Sequence, residues 1–353
     1  MSIKQTVLRV ARAAGVFALT RMATRKYPRI LCYHGGNLGD ERLYNPKLFC
    51  TPEQLRQRLD WLRAKGFAPV TLDQIAAGGV PGHGIPVAVT LDDGWYSSWH
   101  DLLPLLAEYG HRPALYLHTE AYEAGAPIVA VSLRYLLWKA GPVQVVVQGI
   151  APAVDGPVDL ADAAQRRRLC GAAEDWLAQQ PRAQVAGCLE RLGNALGVSP
   201  AQLDLASRRF SYMDVAELRA ASAGGCSIEL HGHVHEYVPG QDARNRANIE
   251  HCRAVIEAAG LPRAVHYCYP SGAFDAGAAA VMRAAGVATA TTCVPGLVKL
   301  QDADARFFLP RFLDGGNVSM IEFEAEMSGV LQLLRALTRR GDLAAHALRP
   351  SAT

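Results

Sequence analysis

The sequence predicts an α/β protein: about seven strands alternate with helices around a parallel sheet that closes, or nearly closes, into a barrel carrying a helical insertion. Three observations predict it. Short apolar, β-branched runs recur between capped helices, polar residues gather where those runs end, and the alternation is lost from about Glu120 to Phe210. The 353 residues, 50% of them hydrophobic, suffice for one large core or a domain with an insertion. A net charge of +3 leaves no global footprint for nucleic acid.

Residues 1–28 form a basic arm or helix, since Lys4, Arg9, Arg12, Arg21, Arg25, Lys26 and then Arg29 all precede the first acidic residue, Asp40. The apolar run Ala13–Leu19 is bounded by arginines, and no small-x-small cleavage site follows, so no cleaved signal is expected. No run reaches the roughly 20 apolar residues of a membrane span. Arg9 and Arg12 share a helix face while Arg21 falls nearly opposite, which favours an ordinary helix or frayed terminus over a lipid-lying one. None of the eight cysteines forms a Cys-x-x-Cys, and Cys32, Cys226, Cys268 and Cys293 sit in apolar runs as small hydrophobes, so a reducing, cytoplasmic compartment is expected.

Residues 29–120 supply the first part of the barrel. Arg29–His34 reads as a strand ending in a histidine and two glycines. A helix follows, with Thr51 as cap, Gln54 completing a capping box, Pro52 at its first position, Leu55, Leu59 and Leu62 as its apolar stripe, and Gly66 at its end. Val87–Leu91 is a buried strand that runs into Asp92, Asp93 and Gly94; after it come a helix from about Ser97 to Tyr109 and a strand Pro113–Thr119. Residues 121–210 are the insertion, read as helical around Leu133–Trp138, Ala161–Trp176 and Val185–Leu196.

Residues 211–340 complete the barrel. A helix capped by Asp214 and Glu217 leads to the strand Cys226–Leu230 and the cluster His231-Gly-His-Val-His235. A helix Arg244–Ala259, a strand Val265–Tyr269, the turn Pro270-Ser-Gly272 and a helix to Ala285 follow. Val287–Cys293 and Phe307–Phe312 read as strands, and Ser319 with Glu322 caps a last helix to about Arg339, leaving 341–353 as a tail.

The chemistry gathers at strand ends. Neighbouring carboxylates on a regular strand face opposite ways, so one site can use both Asp92 and Asp93 only where Gly94 lets the backbone turn. His231 and His235 would share a face on a helical turn, whereas on a strand His231, His233 and His235 would do so; the residues leave the pair open. With a carboxylate from Asp93, two neutral histidines suit a divalent metal with open positions. Such an ion acidifies water and polarises a carbonyl.

Thr-Leu-Asp-Asp-Gly94, then His231-Gly-His-Val-His235, then Tyr-Pro-Ser-Gly272 resembles, in that order, the polysaccharide deacetylase superfamily, carbohydrate esterase family four of NodB-homology type. The resemblance spans roughly residues 29–120 and 210–313. It implies a distorted (β/α) barrel and metal-dependent removal of an acyl group, usually acetyl, from an N-acylated sugar. By the same resemblance Asp93, His231 and His235 are metal ligands, Asp92 is the general base and the Ser271 N–H holds the oxyanion, with Pro270 and Gly272 beside the substrate. The metal implied is divalent, zinc first, with cobalt, nickel, manganese or iron as substitutes. The family often places an arginine where Cys268 stands; Arg311, in Leu-Pro-Arg-Phe312, is the candidate substitute. A late Leu-x-x-His is missing, and His346 lies in the tail. Tyr33-His34 resembles the N-terminal Tyr-His of poly-N-acetylglucosamine deacetylases, which makes His34 the acid.

Trp95 and Tyr96, with Trp99 and Tyr44, are candidate platforms for a sugar ring. The insertion is expected to roof the cleft. The substrate expected is an N-acetylated sugar in a glycan, glycolipid or sugar nucleotide. Two other readings are a deformylase or non-sugar amidase with the same chemistry, and an inactive glycan-binding protein, favoured by Cys268. No nucleic-acid partner is expected. A lipid-linked substrate would give the basic arm a purpose, peripheral contact with the inner membrane face.

Overall fold

A computed structural model describes residues 2–78, 83–122, 127–149 and 154–337. Its central element is the strand β3 (Ile85–Asp92), buried along its whole length because Val87, Val89 and Leu91 on one face and Ala88 and Thr90 on the other are all covered. Beside it lie β1 (Arg29–Tyr33) and β4 (Ala114–Leu117), and the short β2 (Phe67–Pro69) pairs with its first residues. An antiparallel hairpin, β5 (Gln144–Val147) and β6 (Gly156–Asp159), stands apart. β7 (Ser227–Leu230), β8 (His266–Cys268), β9 (Thr289–Thr291) and β10 (Phe312–Leu313) complete the sheet in the order β10-β1-β3-β4-β7-β8-β9, every pairing parallel.

The two edges of this sheet nearly meet. Leu309 forms a parallel bridge with Thr291, its N–H donating to Ala290 O at 2.8 Å and its carbonyl accepting from Thr292 N–H at 2.9 Å. That narrow seam sets the segment entering β10 against β9, so the seven-strand path, with β2 as an eighth strand at its side, curls into a distorted barrel.

Register decides what the barrel presents. Tyr33 pairs with Leu91, Asp92 with Tyr116, and Leu117 with Leu230, so the strand ends are level. The residues that follow them, His34, Asp93, His118 and His231, therefore emerge on one rim.

Several elements depart from the sequence reading. Thr51 caps its helix by accepting from Gln54 N–H, but the Gln54 side chain donates to Gly315 O at 2.7 Å and so does not complete the box. The Asp214/Glu217 and Ser319/Glu322 boxes both form. The expected last helix is two, Met320–Met327 and Val330–Leu337, because Gly329 takes φ 84° between them; its end near Arg339, the tail and His346 lie outside the described residues. The expected strand Phe307–Phe312 shrinks to β10, its start being a 3₁₀ turn at Ala305–Phe307.

The N-terminal residues fold as two helices, Ile3–Ala13 and Val16–Ala23, separated by Gly15 at φ 78°. Leu8 and Phe17 bury against Ile321, Ala325 and Val330. Between β4 and β7 lie the helices Val129–Ala140, Ala163–Ala178 and Val185–Ala195, together with the β5–β6 hairpin, which a helical reading of the segment passes over despite the β-branched Val145–Val147. These elements share a core of their own that also takes in Phe49, Trp95 and Tyr212.

Candidate metal centre and active site

The turn that ends β3 is built on two successive left-handed residues, Asp93 at φ 72° and Gly94 at φ 75°. Sequence reasoning expects the turn at Gly94 alone; the structure begins it at Asp93, and Asp is among the few residues that tolerate this region. Asp92 and Asp93 are thereby used by one rim, Asp92 inward and Asp93 toward the histidines. A side chain at Gly94 would put its Cβ 2.6 Å from the buried Leu117 Cδ1. Gly94→Ala is therefore expected to cost about 2 kcal/mol or more, from left-handed strain and overpacking together, read by urea denaturation.

Asp92 sits against Arg311. The two form a bidentate pair with N–O distances of 2.6 and 2.8 Å, the arginine fully buried and the aspartate side chain 4% exposed. Arg311 also donates to Thr90 Oγ1, Thr292 O and Cys268 Sγ. Arg311, the residue just before β10, thus reaches the carboxylate although Cys268 stands where the resemblance expects an arginine. Burial works to raise the Asp92 pKa, but the Arg311 charge and its hydrogen bonds prevail and hold it near 2. Cys32 and Cys268 complete the wall, with Sγ atoms 3.4 and 3.8 Å from Asp92 Oδ2, and burial pushes both thiols well above their ordinary range. His34 Nε2 stands 3.8 Å from the same oxygen, its ring beside Trp95 and its carbonyl accepting from Ser98 Oγ.

Asp93 Oδ1 is the focus of a second cluster. His231 Nε2 lies 3.3 Å from it, His235 Nε2 3.5 Å, and the two nitrogens are 3.1 Å apart. His231 Nδ1 donates to Cys268 O at 2.9 Å, which leaves its Nε2 as a bare lone pair. Burial opposes charge on Asp93, yet the imidazoles around it hold its carboxylate well below the usual range. A buried Asp93 Oδ1 without a well-placed donor, facing two imidazole nitrogens, fits a cation at their centre.

The histidine loop is neither a helical turn nor an extended strand. β7 stops at Leu230, Gly232 takes φ 85°, and the chain folds back so that His235 meets His231. Asn248 holds this fold: its Oδ1 accepts from Val234 N–H, and its Nδ2 donates to Val234 O and Glu236 O. His233 is turned away from the cluster, its Nδ1 3.0 Å from Thr119 Oγ1 and its ring stacked at 3.9 Å on His251. Ser271 follows Pro270 at φ 53°, and Gly272 packs beside Cys293.

The aromatic residues are not open platforms. Trp95 is 3% exposed and packs on Phe49 in the insertion core. Tyr96 is covered by the Arg208 guanidinium at 4.1 Å and contacts Trp99 and His100; Tyr44 packs on Tyr135 and Trp138. Sequence reasoning missed His118 and Tyr212. His118 directly follows β4, its Nε2 3.0 Å from Tyr212 Oη and its ring 5.4 Å from His235, and burial pushes its pKa down to about 3. The signal was a histidine at the end of a strand level with β3 and β7.

Residues 205–290 match the family model for polysaccharide deacetylase. A Streptococcus pyogenes deacetylase, PplD, in complex with acetate, superposes with a TM-score of 0.54 at 13% identity, over 85% of this chain and 98% of that one. IcaB from Ammonifex degensii gives 0.51 at 17% identity, over 86% and 97%. This chain carries the polysaccharide deacetylase fold. A de-N-acetylase from Aggregatibacter actinomycetemcomitans is similar at a TM-score of 0.50 and 12% identity, over 85% and 99%. No curated protein matches the sequence. Within the deacetylase fold, the family-model match covers the segment with both histidines of the Asp93 cluster and the turn at Pro270–Gly272.

Proposed function

We propose that this protein is a metal-dependent hydrolase that removes an N-acetyl group from an N-acetylated sugar in a glycan, glycolipid or sugar-nucleotide precursor. The observation that carries the reading is the convergence of Asp93, His231 and His235 on one point beside the buried Asp92–Arg311 pair. The deacetylase fold supports it, as do similar structures described as a deacetylase holding acetate and as a de-N-acetylase.

Asp93 Oδ1 and the Nε2 atoms of His231 and His235 would hold the ion, with zinc the first choice for two imidazoles and a carboxylate and cobalt, nickel, manganese or iron as substitutes. A divalent ion there supplies Lewis acidity, which lowers the pKa of water toward about 7 and polarises an acyl oxygen. Asp92 accepts the proton of the attacking water. Its low pKa makes it a weak base, so its task is to receive a proton from an already acidified donor, with Arg311 keeping the carboxylate ionised and in one orientation. The Ser271 N–H, set by its left-handed turn, donates to the acyl oxygen as negative charge develops there. His34 gives a proton to the departing amine nitrogen. His118, neutral and tied to Tyr212, walls the imidazole side. The inactive reading drew on Cys268, and the bidentate Arg311 removes that support.

All eight cysteines are unpaired, which supports a reducing, cytoplasmic setting for this activity. The test is acyl release from N-acetylated sugar nucleotides, lipid-linked sugars and oligosaccharides, before and after chelation and divalent-ion replacement. Acetate that disappears with chelator and returns with the ion is expected. Asp92→Asn is expected to retain metal while turnover falls by about 100-fold or more. Formate in place of acetate would move the reading to a deformylase, and undiminished turnover in Asp92→Asn would remove Asp92 as base.

A further inference from the structure

The two N-terminal helices bury one face and leave the other bare. On the inner face Leu8 and Phe17 pack into the body of the protein, and Lys4 and Arg12 pair with Glu322 and Glu324. On the outer face Ile3, Val7 and Val10, spaced four and three apart along one side of their helix, are 86, 60 and 65% exposed. The second helix adds Leu19 and Met22, 69 and 66% exposed. More than half of the large apolar side chains that the described residues expose lie on these helices and on Val330–Leu337.

Met22 also borders a cavity of about 560 Å³ whose other walls include Arg21, Arg25, Lys26, Lys65 and His83. Among the described residues none of these four Arg and Lys side chains has a carboxylate partner, although about half of the other described arginines do. The cations therefore stand together, in mutual repulsion, against an apolar surface. Among the described residues no helix is long and apolar enough to cross a membrane.

We propose that this face docks the protein on an anionic phospholipid surface, with Ile3, Val7, Val10, Leu19 and Met22 entering the headgroup boundary and the cavity at Arg21, Arg25 and Lys65 taking a lipid phosphate. The two features belong to one occupant because Met22 is part of both. A bilayer surface offers apolar depth and negative charge together, which is what the face presents in complement. A second copy of this chain would bring like charges into apposition, and a nucleic acid would leave the aliphatic stripe in water. The reading does not depend on the reaction at the barrel rim.

The test is sedimentation of the full chain with vesicles of phosphatidylcholine alone or mixed with phosphatidylglycerol. Binding is expected only to the mixed vesicles, and is expected to weaken between about 0.1 and about 1 M salt, as the Debye length falls from about 10 to about 3 Å. Arg21→Glu with Arg25→Glu is expected to lower partitioning by roughly 25-fold or more, at about fivefold per basic residue. Val7→Ser with Met22→Ser is expected to weaken binding at all salt concentrations. Circular dichroism and thermal melting verify that each variant is folded. Absence of binding to mixed vesicles at low salt, equal binding to both vesicle types, or folded variants that bind like the wild type would overturn the proposal. Binding of inorganic phosphate without binding of vesicles would make the cavity a site for soluble anions, and a dimer abolished by the serine variants, again without vesicle binding, would make the face a self-interface. Either result defeats membrane docking.

Discussion

Asp93→Asn is expected to empty the centre of metal while leaving the turn intact. Asparagine is at home in the left-handed region that position 93 occupies, so the backbone at φ 72° is kept and only the charge of the ligand is removed. Asp93→Ala would confound the two by adding strain. Changes to partners of metal ligands alone cost about 10–100-fold in affinity, and loss of a ligand's charge is expected to exceed the upper end of that range. Metal content after dialysis, measured beside acetate release, reads the effect. Retention of stoichiometric metal by Asp93→Asn would show that another group completes the site.

The second large effect is expected at Arg311. Arg311→Met leaves Asp92 buried and uncompensated, among Cys32, Cys268 and Thr90, and is expected to cost about 3–5 kcal/mol of stability. The sign with pH follows from the depressed Asp92 pKa. In the wild type the pair's stabilisation is present above the ordinary carboxylate range and is lost as pH falls through about 2. In Arg311→Met burial, which raises the pKa, is opposed only by His34 and His231, so the pKa is expected to rise and the deficit to be greatest near neutral pH, narrowing on mild acidification as Asp92 protonates. Adding Asp92→Asn is expected to restore part of the loss, which urea denaturation of the four members of the cycle would quantify.

The barrel was legible where the chain repeats one physical pattern. Val87–Leu91, buried on both faces, and the caps at Thr51, Asp214 and Ser319 announce their elements because each satisfies a local requirement. What escaped depended on partners remote in sequence. β2 is three residues held by the start of β3, and the Gln54 side chain chose Gly315 from the far end of the chain. The site divides in the same way. Asp92, Asp93 and His231 stand at strand ends that the sequence marks, and Arg311 could be nominated from the shortage at Cys268. The fold-back that carries His235 to His231 could not be read, since it rests on Gly232 and on Asn248 from the following helix. Tyr212 was hidden for a related reason: it belongs to the insertion's return segment and reaches His118 only because Met213 N–H bonds Gly94 O and Tyr96 N–H bonds Ser211 O.

The seam at Thr291 and Leu309 bears on when the Asp92 site is completed. Arg311 lies just beyond it, and Asp314, three residues later, receives Tyr33 Oη and Arg58 Nε from the opposite end of the chain. During synthesis, then, His231, His235 and both rim carboxylates leave the ribosome well before the guanidinium that orders Asp92. A growing chain can lay down nearly the whole sheet and still leave Asp92 without its partner. The Asp92–Arg311 pair is completed only with the last strand, and any fraying of that two-residue strand would be felt first at Asp92.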